Sequence, residues 1–177
     1  EQYLDVQRRC AEVRNQMKSH AFLGEAFPFV SVDIGPGSMA TYLGSEPVFR
    51  RESVWYSECI ESREEWEAVR FDGENRWWTL HQRLIAEAVQ EAAGAFRVAI
   101  PDIIENIDIF ASMRGPEQTC LDLMDDPEWI RSAIGKIDSL YFTYYDRMYE
   151  LTAEEDGSSC FTAFGIQGAG KTAKIQC

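Results

Sequence analysis

Carboxylate and amide side chains are concentrated in this chain directly after a short apolar stretch. Residues 96–100 have the length and composition of a strand, and Pro101 ends it because proline has no N–H for a central ladder. The polar side chains that follow are Asp102, Glu105, Asn106 and Asp108. Such groups can serve as acids, bases or substrate ligands, and in parallel α/β folds sites form at the carboxyl ends of strands.

These spacings allow two interpretations. Asp102 and Glu105 are three positions apart and Asp102 and Asn106 four, which predicts one shared helical face. On that face Asp102 or Asn106 is the expected pocket residue. Alternatively, the acids are helix N-terminal residues that complement the helix dipole.

A second strand-end carboxylate lies earlier in the chain. Residues 29–33 predict a short strand that ends in Asp33 and runs into a turn rich in glycine and proline at 35–38. A carboxylate there can stabilise positive charge that develops on a substrate. The alternative is a structural role, in which Asp33 caps the turn over 35–44.

A glycine-rich segment matches a phosphate-binding pattern. Residues 165–172, GIQGAGKT, fit the P-loop, in which Lys171 would contact phosphates and Thr172 magnesium. The residues that follow are strand-like, however, whereas a P-loop opens a helix. We therefore favour a glycine-rich loop at a strand end, with Gln167 and Lys171 lining the mouth of a site, and keep a P-loop nucleotide hydrolase as an alternative.

Helices must position these groups. Apolar spacing predicts an amphipathic helix over 2–19, a helix capped by Asn75 that ends at Gly94, and a long helix that begins after Asp126. A third strand is predicted at 159–164. Strands joined by long helical crossovers pair in parallel. The chain is thus predicted to be a single α/β domain over residues 1–177, with an open sheet or a truncated barrel.

Composition restricts the class of partner. Seventeen basic residues against thirty acidic ones give a net charge of −13, which disfavours nucleic acid and anionic membranes.

The five cysteines are odd in number and lack CxxC spacing, which indicates reduced thiols in a cytoplasmic protein and no metal site. His20 and His81 are interpreted as structural. The first and last residues fall inside predicted elements, so we expect a fragment of a longer chain.

Three segments together resemble the uroporphyrinogen decarboxylase family. Residues 33–44, DIGPGSMATYLG, are similar to its second-strand motif, and residues 100–115 with 121–128 to its third strand and following helix. The loop at 165–171 resembles the exit of the fourth strand in the decarboxylase-like branch. The resemblance implies a (β/α)8 TIM barrel, of which this chain would hold about strands two to four.

The resemblance also implies an activity. Members of the family either decarboxylate a tetrapyrrole without a cofactor, as lyases, or transfer methyl groups with zinc and a corrinoid. Asp33 would be catalytic, near the pyrrole N–H groups, and Phe110 stands where the decarboxylases carry a functional tyrosine. The remaining expected substrate residues are Asp102, Asn106, Gln167 and Lys171. A small-molecule substrate is expected; a homodimer and a non-catalytic binding barrel remain open.

Overall fold

The computed structural model describes residues 4–50, 53–104 and 106–174. Within this range the chain forms two compact units, each assembled from separate segments. The first unit takes residues 1–34, 80–102 and 145–177, and the second takes residues 35–79 and 103–144.

Helices and short strands alternate along the described residues. In chain order they are α1 (Val6–Ser19), β1 (Phe29–Ser31), α2 (Met39–Tyr42), β2 (Pro47–Phe49), β3 (Val54–Tyr56), α3 (Arg63–Ala68), α4 (Arg76–Ala92), β4 (Arg97–Ala99), α5 (Asn106–Arg114), α6 (Pro116–Asp125), α7 (Pro127–Thr152), β5 (Ser159–Phe161), a 3-10 turn (Ala163–Gly165) and β6 (Ile166–Gly168).

Parallel strands form the centre of the first unit. β1 pairs with β4 in parallel, with Val30 opposite Val98. β4 continues to β5 through Ile100, whose N–H donates to the Cys160 carbonyl (2.7 Å) and whose carbonyl accepts from the Thr162 N–H (3.0 Å). The predicted parallel pairing of the three strands is confirmed. The described strands form three two-stranded sheets, β1–β4, β2–β3 and β5–β6, and the parallel bridge between Ile100 and Phe161 places β5 beside β4. β6 runs antiparallel to β5.

Apolar side chains of the strands and helices make up the core of the first unit. Along the β1 segment burial alternates, with Val30 and Val32 buried, whereas Val98 and Ala99 of β4 are both buried. On α4, Ile85 and Ala88 are fully buried at helical spacing, as the amphipathic pattern predicts. This packing fixes the strand ends on which the polar residues stand.

Aromatic residues dominate the core of the second unit. Phe110 on α5 is fully buried, with ring centroids 5.0 Å from Trp66 and 5.5 Å from Trp129. β2 and β3 form an antiparallel hairpin in this unit. Ser62 and Glu65 form a capping box at the start of α3.

The start of α5 differs from the prediction. Residues 102–104 are not helical, and Ile104 (φ 57°) and Asn106 (φ 61°) adopt left-handed backbone conformations. The helix begins only at Asn106. Asp102 therefore stands before α5 rather than on a helical face shared with Asn106, and Glu105 lies outside the described residues. The predicted final strand also falls mostly outside them, at 175–177.

Candidate functional site

Asp33 stands two residues beyond β1 and is held by two neighbours. Its carboxylate accepts from the Ser31 hydroxyl (3.0 Å) and from the Arg9 guanidinium (3.3 Å). Arg9 on α1 also donates to the main-chain carbonyls of Ser31 (2.7 Å) and Asp33 (3.2 Å). The guanidinium therefore fixes both the carboxylate and the backbone that carries it. The Asp33 side chain stays 30% exposed, so a ligand can reach it.

Thr162, which directly follows β5, contacts the residues around Asp33 from that strand. Its hydroxyl lies 3.2 Å from the Ser31 hydroxyl, although β4 runs between β1 and β5. The contact spans β4 at Ala99, the partner of Ser31 in the ladder, whose methyl side chain is small. Arg9, Ser31, Asp33 and Thr162 form what we call the strand-end cluster.

Asp102 follows β4 and has its own cation. The Lys174 ammonium lies 2.7 Å from its carboxylate, and both side chains are 19% exposed. Because β1 and β4 are parallel and paired, Asp33 and Asp102 stand at the same edge of the sheet. Each strand-end carboxylate is thus matched by a basic group.

His81 holds the backbone next to Asp33 of the strand-end cluster. It is fully buried on α4, and its Nε2 lies 2.6 Å from the Val32 carbonyl, so the neutral ring carries its proton on Nε2 and donates to that oxygen. Burial lowers the pKa of His81 to about 4, because the charged ring would lose its hydration. The histidine fixes the backbone next to Asp33, in keeping with the predicted structural role.

The predicted loop residues lie elsewhere. Gln167 on β6 lines a shallow cleft with residues 24–27, which precede β1, and with Asp156 and Ser158, which lead into β5. That cleft is at the amino ends of the parallel strands, opposite the strand-end cluster. Lys171 pairs with Asp146 (2.7 Å), and its ammonium lies 5.7 Å from the centre of the Tyr149 ring.

Two further predicted substrate residues, Asn106 and Phe110, belong to the second unit. Phe110 is enclosed by Trp66 and Trp129 and is 0% exposed, so its ring serves the core of that unit. Asn106 is half-buried in the first turn of α5.

The glycine-rich segment does not have P-loop geometry in its described part. Residues 166–168 form β6, which folds back against β5. The Thr172 hydroxyl bonds to the Ser159 hydroxyl (2.8 Å), and its carbonyl accepts from the Tyr145 hydroxyl. Residues 171–174 are not helical, so no helix N-terminus is directed at the loop.

Metal-binding chemistry has little support among the described residues. No group of three or more His, Cys, Asp or Glu side chains there is arranged to hold an ion. The cysteines in this part of the chain are free thiols, at positions 10, 59, 120 and 160. Burial raises the pKa of Cys160 to about 11, so this thiol stays protonated.

The sequence did not indicate the two basic residues that pair with the strand-end carboxylates. Arg9 lies on α1, 24 positions before Asp33, and Lys174 follows the glycine-rich segment. Helical spacing places Arg9 on the same helix as the buried Val6 and Cys10, but no local pattern indicates a distant carboxylate. The Ser31 hydroxyl, two residues before Asp33 and therefore on the same face of the strand, was a usable signal.

Comparison with known proteins returned no match from family models, from curated proteins or from solved structures. Among the described helices, none combines the length and hydropathy that crossing a bilayer requires.

Proposed function

We propose that this chain is part of a uroporphyrinogen decarboxylase-like (β/α)8 barrel enzyme that decarboxylates a tetrapyrrole or a related substrate in the cytoplasm. The observation that carries the proposal is the placement of Asp33 and Asp102 at the carboxyl ends of neighbouring parallel strands. The sequence resemblance assigns Asp33 to the substrate pyrroles, and the half-exposed carboxylate is accessible for that role.

The chemistry needs a fixed negative charge. In decarboxylation of a pyrrole acetate, a proton first adds to the ring, and the bond to the carboxylate then breaks to release CO2. A second proton adds to the side-chain carbon and the ring then loses one, so that overall one proton replaces CO2. A carboxylate held in place stabilises the cationic ring without reorganising. Arg9 and the Ser31 hydroxyl supply that fixation here.

Arg9 and Lys174 also change the charge that the site presents to a substrate. Uroporphyrinogen carries many carboxylates, and an acidic rim would repel it. Asp33 is matched by Arg9 and Asp102 by Lys174, so these four groups balance in charge. This supports an anionic substrate in spite of the net charge of −13.

Corrinoid-dependent methyl transfer is the second candidate and a non-catalytic binding barrel is the third, and Phe110 favours the third. The decarboxylases carry a functional tyrosine there, whereas Phe110 is a core residue without a hydroxyl. Zinc for this reaction would need ligands outside the described residues, because no ligand cluster exists within them. A non-catalytic binding barrel is compatible with the same observation.

Two incubations of the full-length protein distinguish these functions. We expect uroporphyrinogen to lose CO2 and yield products with fewer carboxylates, detected by chromatography. Methyl transfer from methylcobalamin to a thiol would instead support the second candidate. Tetrapyrrole binding without any conversion would support the non-catalytic barrel, and no turnover on either substrate would remove both enzymatic proposals.

A further inference from the structure

The second unit carries a groove that is separate from the strand-end cluster. It has a volume of about 590 Å³, within the range of ligand sites. β3 forms one side, and Asp108, Ala111 and Ser112 of α5 form the other. Ala111 and Ser112 lie three and four positions after Asp108, so all three side chains share one face of the helix.

An exposed tryptophan lies in this groove. Trp55 on β3 is 67% exposed, although an indole of this size is usually mostly buried. Its Nε1 donates to the Ser53 hydroxyl (3.1 Å), which restrains the ring. The face of an exposed indole attracts cations through its quadrupole.

Two carboxylates that have no ion pair within the described part of the chain line the same groove. Neither Glu58 nor Asp108 has a side-chain hydrogen bond or ion pair among the described residues. The described lining residues also include no lysine or arginine. By contrast, Asp122 and Asp126 of this unit are paired with Arg114 and Arg63.

The backbone places Glu58 in the groove. The N–H groups of Cys59 and Ile60 both donate to the Met113 carbonyl near the end of α5 (2.8 and 3.1 Å). Gly115 follows that helix, and a Cβ there would lie 2.6 Å from the Glu58 carboxylate. The glycine therefore provides the space that the carboxylate occupies.

We propose that this groove binds an arginine-bearing peptide segment of a partner protein. The guanidinium would stack on Trp55 and bond to the carboxylates of Glu58 and Asp108. A planar guanidinium can do both at once, whereas an ammonium is a point charge. The groove is larger than one guanidinium, and its apolar lining at Val54, Ala111 and Pro116 suits the arginine stem and neighbouring apolar residues.

Calorimetric titration of the full-length protein tests this proposal. The probe is a capped Gly-Arg-Ala-Arg-Gly peptide, and the neutral control is the same peptide with citrulline in place of arginine. We expect the arginine peptide to bind and the citrulline peptide to bind at least about tenfold more weakly. Trp55→Ala and the double variant Glu58→Gln with Asp108→Asn should each weaken binding by a similar factor.

The matched control is Asp125→Asn with Glu64→Gln, two exposed acids of the second unit outside the groove. It removes the same charge, and we expect it to bind as the parent does. If both double variants weakened peptide binding equally, the effect would come from general surface charge, and the proposal would be overturned. No binding at millimolar peptide, or tight binding of spermidine without binding of the peptide, would also overturn it.

Discussion

Arg9 holds the Asp33 side of the candidate site in place, although no local sequence pattern indicates it. It is 19% exposed and joins α1 to the Asp33 carboxylate and to two main-chain carbonyls of the β1 segment. Its removal would take the guanidinium away from those carbonyls and from the Asp33 carboxylate, which would keep the Ser31 hydroxyl. The position of Asp33, and not only local stability, depends on this residue.

The first prediction concerns that arginine. Arg9→Met should lower the free energy of unfolding by about 2 kcal/mol, because hydrogen bonds to charged groups are lost in a half-buried setting. Arg8→Met is the matched control: Arg8 is 65% exposed and pairs with the exposed Glu12, so its loss should cost less than about 1 kcal/mol. Urea unfolding measures both. Equal losses would mean that Arg9 is an ordinary surface residue.

The second prediction concerns His81 and pH. Burial lowers its pKa from the ordinary 6.5 to about 4 in the folded chain, so between those two pH values the unfolded chain takes up a proton that the folded chain does not. Stability from the neutral ring is complete above pH 6.5 and is lost as pH falls, by about 2 kcal/mol at about pH 5. His81→Gln should lack this loss, measured by urea unfolding across the range.

His20 provides the control for that experiment. It is exposed at the end of α1, where its ring contacts Ser19. His20→Gln should retain the acid-dependent loss of the parent. If the parent and His81→Gln lose the same stability on acidification, the buried histidine is not the titrating group.

At the residue scale, the sequence indicated the positions of the strand-end carboxylates but not the basic residues that pair with them. Asp33 and Asp102 were recognisable because each follows an apolar strand. Their ion pairs were not, because Arg9 and Lys174 are distant in sequence and meet them only after folding. The predicted helical face through Asp102 was wrong, because Ile104 and Asn106 adopt left-handed conformations that local spacing does not reveal.

At the scale of elements, caps determine where helices begin. The Asn75 side chain accepts from the N–H groups of Trp77 (2.9 Å) and Trp78 (3.1 Å) at the start of α4, as its sequence position predicted. Its amide also donates to the Thr41 carbonyl (3.1 Å). One side chain thus caps α4 and joins it to α2.

The third prediction separates these two contacts. Asn75→Ala removes both and should lower the free energy of unfolding by about 1 to 2 kcal/mol. Asn75→Asp keeps the acceptor that caps the helix and loses only the donor, so it should recover about half of that loss. Thermal unfolding followed by circular dichroism measures the difference. Identical melting temperatures for the two variants would exclude a capping role.

The β5–β6 hairpin shows how a motif can match in letters and differ in structure. Glycines at 165, 168 and 170 permit a tight return of the chain, and Gly165 (φ 56°) follows directly on Phe164 (φ 61°). The pattern specifies residue types but not the helix that a phosphate site requires. Thr172, two residues after Gly170, is instead held by hydrogen bonds with Ser159 and Tyr145.

The fourth prediction follows from this hairpin. ATP with magnesium should leave the melting temperature unchanged, because no helix N-terminus faces the loop. Lys171→Ala should behave as the parent does toward ATP, and it would lose the exposed pair with Asp146 and the contact with the Tyr149 ring. Stabilisation by ATP that disappears in Lys171→Ala would restore the P-loop alternative.

At the scale of the whole molecule, two features of the sequence predicted the arrangement of the strands. Strand-like segments separated by long helical crossovers required parallel pairing, and the order β1, β4, β5 follows the chain. Sequential parallel strands occur in barrels as well as in open sheets, so the barrel stays a proposal. The two units could not be predicted, because each combines segments that are far apart in the chain.

The fifth prediction tests the central claim, that Asp33 acts on the substrate from the end of β1. In the full-length protein, Asp33→Asn should lower kcat for uroporphyrinogen decarboxylation by about 100-fold or more, because a neutral amide cannot stabilise the cationic ring. Asp125→Asn, an exposed acid of the second unit, should keep the parent kcat. An Asp33→Asn protein that folds and turns over at the parent rate would contradict the account.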